Sequence, residues 1–332
     1  MKFGLRLIGY LGTNRHLVRL AKLAEDAGFD SVWFPHDTFM HNTWVLTTAA
    51  AEATSTIRIG TVGTNPYTTN PCEVATYAAT LDDLSGGRFI LGLGLHTRKM
   101  VEWTGLDASD CIACTREAVE IVRRLLRGGP VNCNGRHFKW SQQCYLRMPV
   151  LRKNLPIYVA GFGSEYLELS GEIGDGSLPM ITPPESAKYM VSNIRKGLAC
   201  STRDASDYVI SGCAWMSLSA SRREAASIMR KMIANFGPYL EEPALQSIGL
   251  SGADMRPLRD LVAAGNFETA CLRVTPQMTK LGITGTPDNV IERIEQLAQM
   301  GIDEVNLGGP LGPDPEAAIA LMGTHVIPYF RA

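Results

Sequence analysis

No apolar run in this 332-residue chain reaches the ~18 residues that a membrane-spanning helix requires. The opening Met1-Lys2-Phe3-Gly4-Leu5-Arg6 has no signal-peptide apolar core and enters a strand pattern at once. Neither charge sign is in excess: 32 Lys+Arg stand against 33 Asp+Glu, the net charge is -1, and no block of like charge occurs. The chain therefore has no electrostatic footprint for nucleic acid or for a membrane surface. Low-complexity tracts and repeats shorter than a strand-plus-helix unit are missing. So are a P-loop, an ordered Ser-His-Asp set and a metal-binding His pair. The reading is a cytoplasmic protein.

Cysteine is present but points to no metal. Cys111-x-x-Cys114, followed by Cys133 and Cys144, has one fragment of zinc-site spacing. Asp110–Leu126 reads as a single helix, and the later spacings match no common finger, so the expected metal is none. In the cytosol all eight cysteines are expected to be reduced.

Short apolar runs alternate with amphipathic stretches. The strand-like runs are Phe3–Ile8, Ser31–Phe34, Ile57–Gly60, Phe89–Gly94, Ile157–Ala160, Gly176–Ile181, Tyr208–Met216 and Glu304–Leu307. Helical patterns lie between them: His16–Gly28, Ser221–Phe236, Pro287–Gly301 and Glu316–Phe330 are the clearest. Eight strand-plus-helix units predict an α/β fold, a parallel sheet closed as a (β/α)8 TIM barrel. A doubly wound open sheet is the alternative. It usually carries a Gly-rich fingerprint in its first turn, which Gly9-Tyr10-Leu11-Gly12-Thr13-Asn14 does not supply. Gly92-Leu93-Gly94 is only a fragment of that fingerprint, better read as room for a ligand ring to approach the strand. Residues 129–155 and 237–285 break the rhythm at more than ordinary loop length, which marks functional insertions or lids. The barrel resumes after each, so residues 1–332 are read as one domain.

Two loops lie where parallel barrels bind ligands. Ile57–Tyr67 runs from an alternating strand into Gly63-Thr64-Asn65-Pro66, a polar loop rich in backbone donors. By itself this is also a plain glycine turn. Gly161-Phe162-Gly163-Ser164 ends a strand and opens a helix over Glu165–Gly171. A helix N-terminus of this kind is an anion site, or a simple turn with Ser164 as its cap.

The tract Ile57–Tyr67, the segment Thr80-Leu81-Asp82-Asp83-Leu84-Ser85-Gly86-Gly87-Arg88-Phe89 and Leu91-Gly92-Leu93-Gly94 resemble the bacterial luciferase-like flavin and deazaflavin superfamily. Leu20–Asp30, Pro156–Gly163 and Gly285-Thr286-Pro287-Asp288 extend the likeness over nearly the whole chain. Within the superfamily it is most similar to the methylenetetrahydromethanopterin reductase branch, which uses coenzyme F420. The resemblance implies a barrel, usually a homodimer, that transfers hydride between the deazaflavin C5 and a small organic substrate, pterin-like or anionic. It implies a cis peptide at Val62–Gly63 beneath the cofactor ring. Ring contacts would come from Thr61, Val62, Gly63, Thr64, Asn65 and Gly94, and the phosphate site from Gly161, Phe162, Gly163 and Ser164. An FMN-dependent monooxygenase, an NAD(P)H-using reductase and a non-catalytic flavin-binding barrel are the alternatives.

His36 and Asp37 follow the second strand. His36 has the ordinary pKa of ~6.5 suited to proton transfer. Asp37 could orient it or cap the next helix. The resembled reductases carry a catalytic Glu where this chain has Arg6, a permanent cation suited to an anionic substrate. Trp44, His96 and Arg98 are the further substrate-side expectations; Trp33 reads as core.

Overall fold

The structure is a computed structural model that describes residues 1–95, 98–161, 163–203, 206–240 and 242–331. Its strands are β1 (Lys2–Arg6), β2 (Ser31–Pro35), β3 (Arg58–Val62), β4 (Phe89–Gly94), β5 (Val131–Asn134), β6 (Lys139–Cys144), β7 (Ile157–Gly161), β8 (Gly176–Pro179), β9 (Ser211–Leu218), β10 (Gly282–Gly285) and β11 (Glu304–Leu311). The main sheet runs β10-β9-β11-β1-β2-β3-β4-β7-β8, with parallel pairing throughout. Its two ends meet. Gly176 bridges Val209 just ahead of β9, and the Ser177 N–H donates to the Val209 carbonyl at 3.0 Å. Leaving out β10, which lies along Trp215–Leu218 of β9, the ring has the eight predicted strands.

The barrel interior explains several sequence choices. Glu304 is 0% exposed, and a buried charge needs partners. It accepts from Ser31 Oγ at 3.0 Å and pairs with Arg58 at 3.1 Å. Above this layer Trp33, Val62, Ile90, Tyr158 and Leu178 fill the centre. Packing gives Gly92 and Gly94 a reason to be small. A Cβ at Gly92 would lie 2.0 Å from the Thr61 carbonyl oxygen, and one at Gly94 1.9 Å from that of Ala160. These glycines let neighbouring strands approach.

Helix Asn14–Asp26 buries Leu17, Leu20, Ala21 and Ala24, and the Thr13 side chain accepts from the His16 N–H. Helix Pro287–Gln299 has Pro in its first turn, a Thr286/Asn289 capping box, and Gly301 at φ +94° as its stop. The C-terminal helix predicted over Glu316–Phe330 is broken into Pro315–Leu321, a π turn over Met322–Val326, and Ile327–Tyr329. Pro328 has no N–H to continue the ladder. Both expected insertions carry regular structure. The first is an antiparallel β5/β6 hairpin whose exit is held by Arg152, donating through Nε to the buried Asp82 carboxylate at 3.0 and 3.1 Å. The second folds helices Glu242–Gln246, Gly252–Ala263 and Phe267–Arg273 around Leu245, Met255 and Leu258. That small core packs on Met229 and Ile233 of helix Arg222–Phe236. Among the described residues no helix is long and apolar enough to cross a membrane.

Candidate active site

The C-terminal ends of β1, β2, β3 and β7 bring most of the expected residues to one face. After β3 the chain bulges. Gly63 sits at φ +67°, a conformation cheap only for glycine. Thr64 then rejoins β4: its N–H donates to the Gly92 carbonyl at 2.8 Å, and its carbonyl accepts from the Gly94 N–H at 3.0 Å. The bulge is made by this left-handed residue, and Val62–Gly63 is trans, contrary to expectation. Among the described residues the cis bond is Gly309–Pro310.

The side chains of Thr61 and Thr64 belong to the seam between β3 and β4. Thr61 Oγ1 donates to the Gly92 carbonyl at 3.1 Å, Thr64 Oγ1 lies 3.0 Å from it, and both residues are fully buried. Neither hydroxyl is free for a cofactor. The Asn65 side chain holds its own loop through Oδ1, which accepts from the N–H groups of Tyr67 and Thr68.

Asn65 also fixes His36. Its backbone N–H donates to His36 Nδ1 at 3.1 Å, so the neutral ring carries its proton on Nε2. Burial holds the His36 pKa below its ordinary value, which favours that neutral form. Asp37 makes no side-chain hydrogen bond to His36 among the described residues, and Asn42, not Asp37, caps helix Thr43–Ala53. Burial pushes the Asp37 carboxyl up, with Arg6 pulling the other way. Two carboxyl-and-imidazole neighbours in sequence thus act separately in space.

These groups line one cleft with three joined parts. A central niche is formed by His36, Asp37, Gly63, Asn65, Leu95 and Met100. Asp37 and Met100 also border a larger chamber of about 880 Å³, including its open mouth, with Arg6, Tyr10, Trp215 and Phe236. Met180 and Ile181 connect that chamber to a pocket of about 380 Å³ against Gly161 and Gly163.

Helix Gly163–Ile173 opens on the third part. It starts two residues sooner than the sequence suggested, so Ser164 lies in the first turn instead of capping it. Gly163 has φ +83°, and a Cβ there would meet nothing within 4 Å. The result is an open cradle beside first-turn N–H groups, suited to a phosphate. The helix is set by contact with helix Pro184–Cys200. A Cβ on Gly197 would lie 1.8 Å from the Glu168 carbonyl oxygen, and one on Gly171 2.2 Å from that of Ile194.

Other expected residues stand apart. Trp44 packs in the helix layer, 4.9 Å from the Tyr77 ring and 6.3 Å from Phe89, and is no wall of the cleft. As the second residue of its helix it turns toward the neighbouring helix. Arg98 is exposed and pairs with Glu102 at 2.7 Å, the usual outcome for oppositely charged residues four apart. His96 and Phe162 lie outside the described residues. Cys111 and Cys114 share helix Cys111–Arg127, and burial pushes the Cys114 thiol up to about 12. The sequence reading missed the chamber's Tyr10, Trp215 and Phe236. Tyr10, four residues beyond β1, had a findable signal; Trp215 needed the barrel's curvature to be seen.

A family model described as luciferase-like monooxygenase matches residues 5–304. The chain belongs to this family. Among its relatives, the 5,10-methylenetetrahydromethanopterin reductase of Archaeoglobus fulgidus is 33% identical over the full length of both chains. A putative coenzyme F420-dependent oxidoreductase of Mycobacterium tuberculosis is 30% identical over 89% of this chain and 85% of its own. The solved coenzyme F420-dependent tetrahydromethanopterin reductase from Methanopyrus kandleri superposes with a TM-score of 0.92 at 28% identity, covering 99% of each chain. A luciferase-like barrel is thus the fold of the whole chain.

Proposed function

We propose that this luciferase-like chain is a coenzyme F420-dependent oxidoreductase acting on a small organic substrate. One observation carries the reading: a single cleft has a left-handed glycine bulge at its centre and an open helix N-terminus at one end. A flat ring with a phosphate-bearing side chain suits both, and relatives named for F420 match along the chain. The residues present fit the cofactor. Gly63 would present bare backbone to the ring, and the first-turn N–H groups at Gly163 and Ser164 would hold the phosphate. Reduced F420, held there, would supply the hydride for an acceptor carbon. His36, neutral and protonated on Nε2, would donate a hydrogen bond to a ligand in the central niche. Asp37, kept toward its protonated form, can hold the proton that balances hydride addition. Arg6 supplies fixed positive charge to the neighbouring chamber. The family's usual homodimer, one barrel domain per chain, belongs to the same reading.

Parallel fluorescence titrations of the apo-protein with F420 and with FMN test this. Saturable binding of F420 and none of FMN is expected. Preference for FMN would overturn the deazaflavin assignment and favour oxygen-dependent chemistry.

A further inference from the structure

The large chamber holds a cation with no ion-pair partner among the described residues. Arg6 is the one cation among the described residues that line it. Its Nε is buried with no hydrogen-bond partner, and Arg6 makes no ion pair among the described residues. The group hydrogen-bonded to the guanidinium is the Cys213 thiol, which burial keeps in its uncharged form and which brings no charge. Asp37, the carboxyl that faces the same space, lies beyond ion-pair distance; burial disfavours its charged form, against the pull of Arg6. The Tyr10 hydroxyl is also held neutral by burial. An unpaired guanidinium in such surroundings is costly unless something arrives to pair with it.

The walls describe the rest of that ligand. Tyr10 and Phe236 stack at 5.6 Å with 30° between their planes, and Trp215 lines the same space. Met180 and Met232 complete an apolar, polarisable lining suited to an aromatic ring.

We propose that this chamber selects a flat aromatic monoanion, its anionic oxygen on Arg6 and its ring among Tyr10, Trp215 and Phe236. The proposal rests on reading the cleft as a joint cofactor and substrate site. One cation accommodates one negative charge, and the planar donor array of a guanidinium suits a carboxylate or an enolate-type oxygen.

Isothermal titration of the wild-type protein with benzoate and with its neutral analogue benzamide tests the charge selection directly. Benzoate is expected to bind about tenfold or more tightly than benzamide. Arg6→Met should abolish that preference and Arg6→Lys should retain part of it. Phe236→Ala should weaken benzoate binding several-fold. Equal binding of the two probes by the wild type overturns the proposal even if the Arg6 variants misfold. Undiminished benzoate binding by a folded Arg6→Met protein overturns it too. F420 titrated into the same samples separates the two readings. Cofactor and benzoate are expected to bind together, and mutual displacement would overturn a separate substrate chamber. Failure of F420 to bind the wild type would count against the oxidoreductase reading alone, leaving the benzoate-to-benzamide ratio to decide the chamber's charge selection.

Discussion

At the scale of single residues, His36 and Asp37 show how two neighbours are tuned in opposite ways by one environment. Burial disfavours the charged form of each, so the imidazole titrates lower and the carboxyl higher than usual. The consequences for stability follow from which state binds more protons. Near neutral pH, Asp37 is more protonated in the folded state than in the unfolded one. Its presence therefore costs stability as pH rises from its unfolded value of 3.8 through its raised folded value. Asp37→Asn should raise Tm at pH 7, and the gain should shrink as pH approaches 4; differential scanning calorimetry across that range checks it. A Tm below wild type at pH 7 would mean that the carboxylate is stabilised by its surroundings. For His36 the sign differs. The unfolded state takes up the proton first, so stability contributed by the neutral ring is lost as pH falls below 6.5 toward the lowered folded value.

At the scale of elements, the helix at the phosphate end of the cleft is located by close backbone contact. Gly171 and Gly197 leave no room for a methyl between helices Gly163–Ile173 and Pro184–Cys200. Gly197→Ala should force the helices apart and cost about 1–3 kcal/mol, as overpacking typically does. The helix start should shift with it, so F420 affinity should fall more than benzoate affinity. Equal losses for both ligands would mean general loosening. This contact was not legible in the sequence, because Gly in a helix there reads only as poor propensity. The strands were legible: all eight barrel strands overlap the predicted runs, since each is a short apolar segment with its own turn. The family-specific segment Asp82–Phe89 was legible as a motif but not in its role. Arg88 spends its guanidinium on the carbonyls of Ala51, Thr54 and Ile57, and Asp82 receives Arg152, so these residues hold the fold together and do no chemistry. Trp44 was misplaced because a single aromatic at a helix start gives no sign of which layer it faces.

At the scale of the whole molecule, the cleft is built from two sources. Its glycine bulge and helix cradle belong to barrel loops, whereas Phe236 and the residues after it lead into the second insertion with its separate core. Damage to that core should therefore be felt unevenly. Leu258→Ala removes a side chain that is 1% exposed. It should cost about 2–5 kcal/mol of stability and weaken benzoate binding, with F420 affinity close to wild type. Parallel calorimetric titrations distinguish this from a uniform loss.

The placement of β10 gives this division a longer reach. The insertion returns to the barrel as a strand along Trp215–Leu218, outside the eight-membered ring, so it can be rebuilt without opening the ring. Lineages of such proteins are free to drift in what they transform while keeping the same electron carrier. Substrate preference should then vary with residues 237–285 faster than it varies with the loops after β3 and β7.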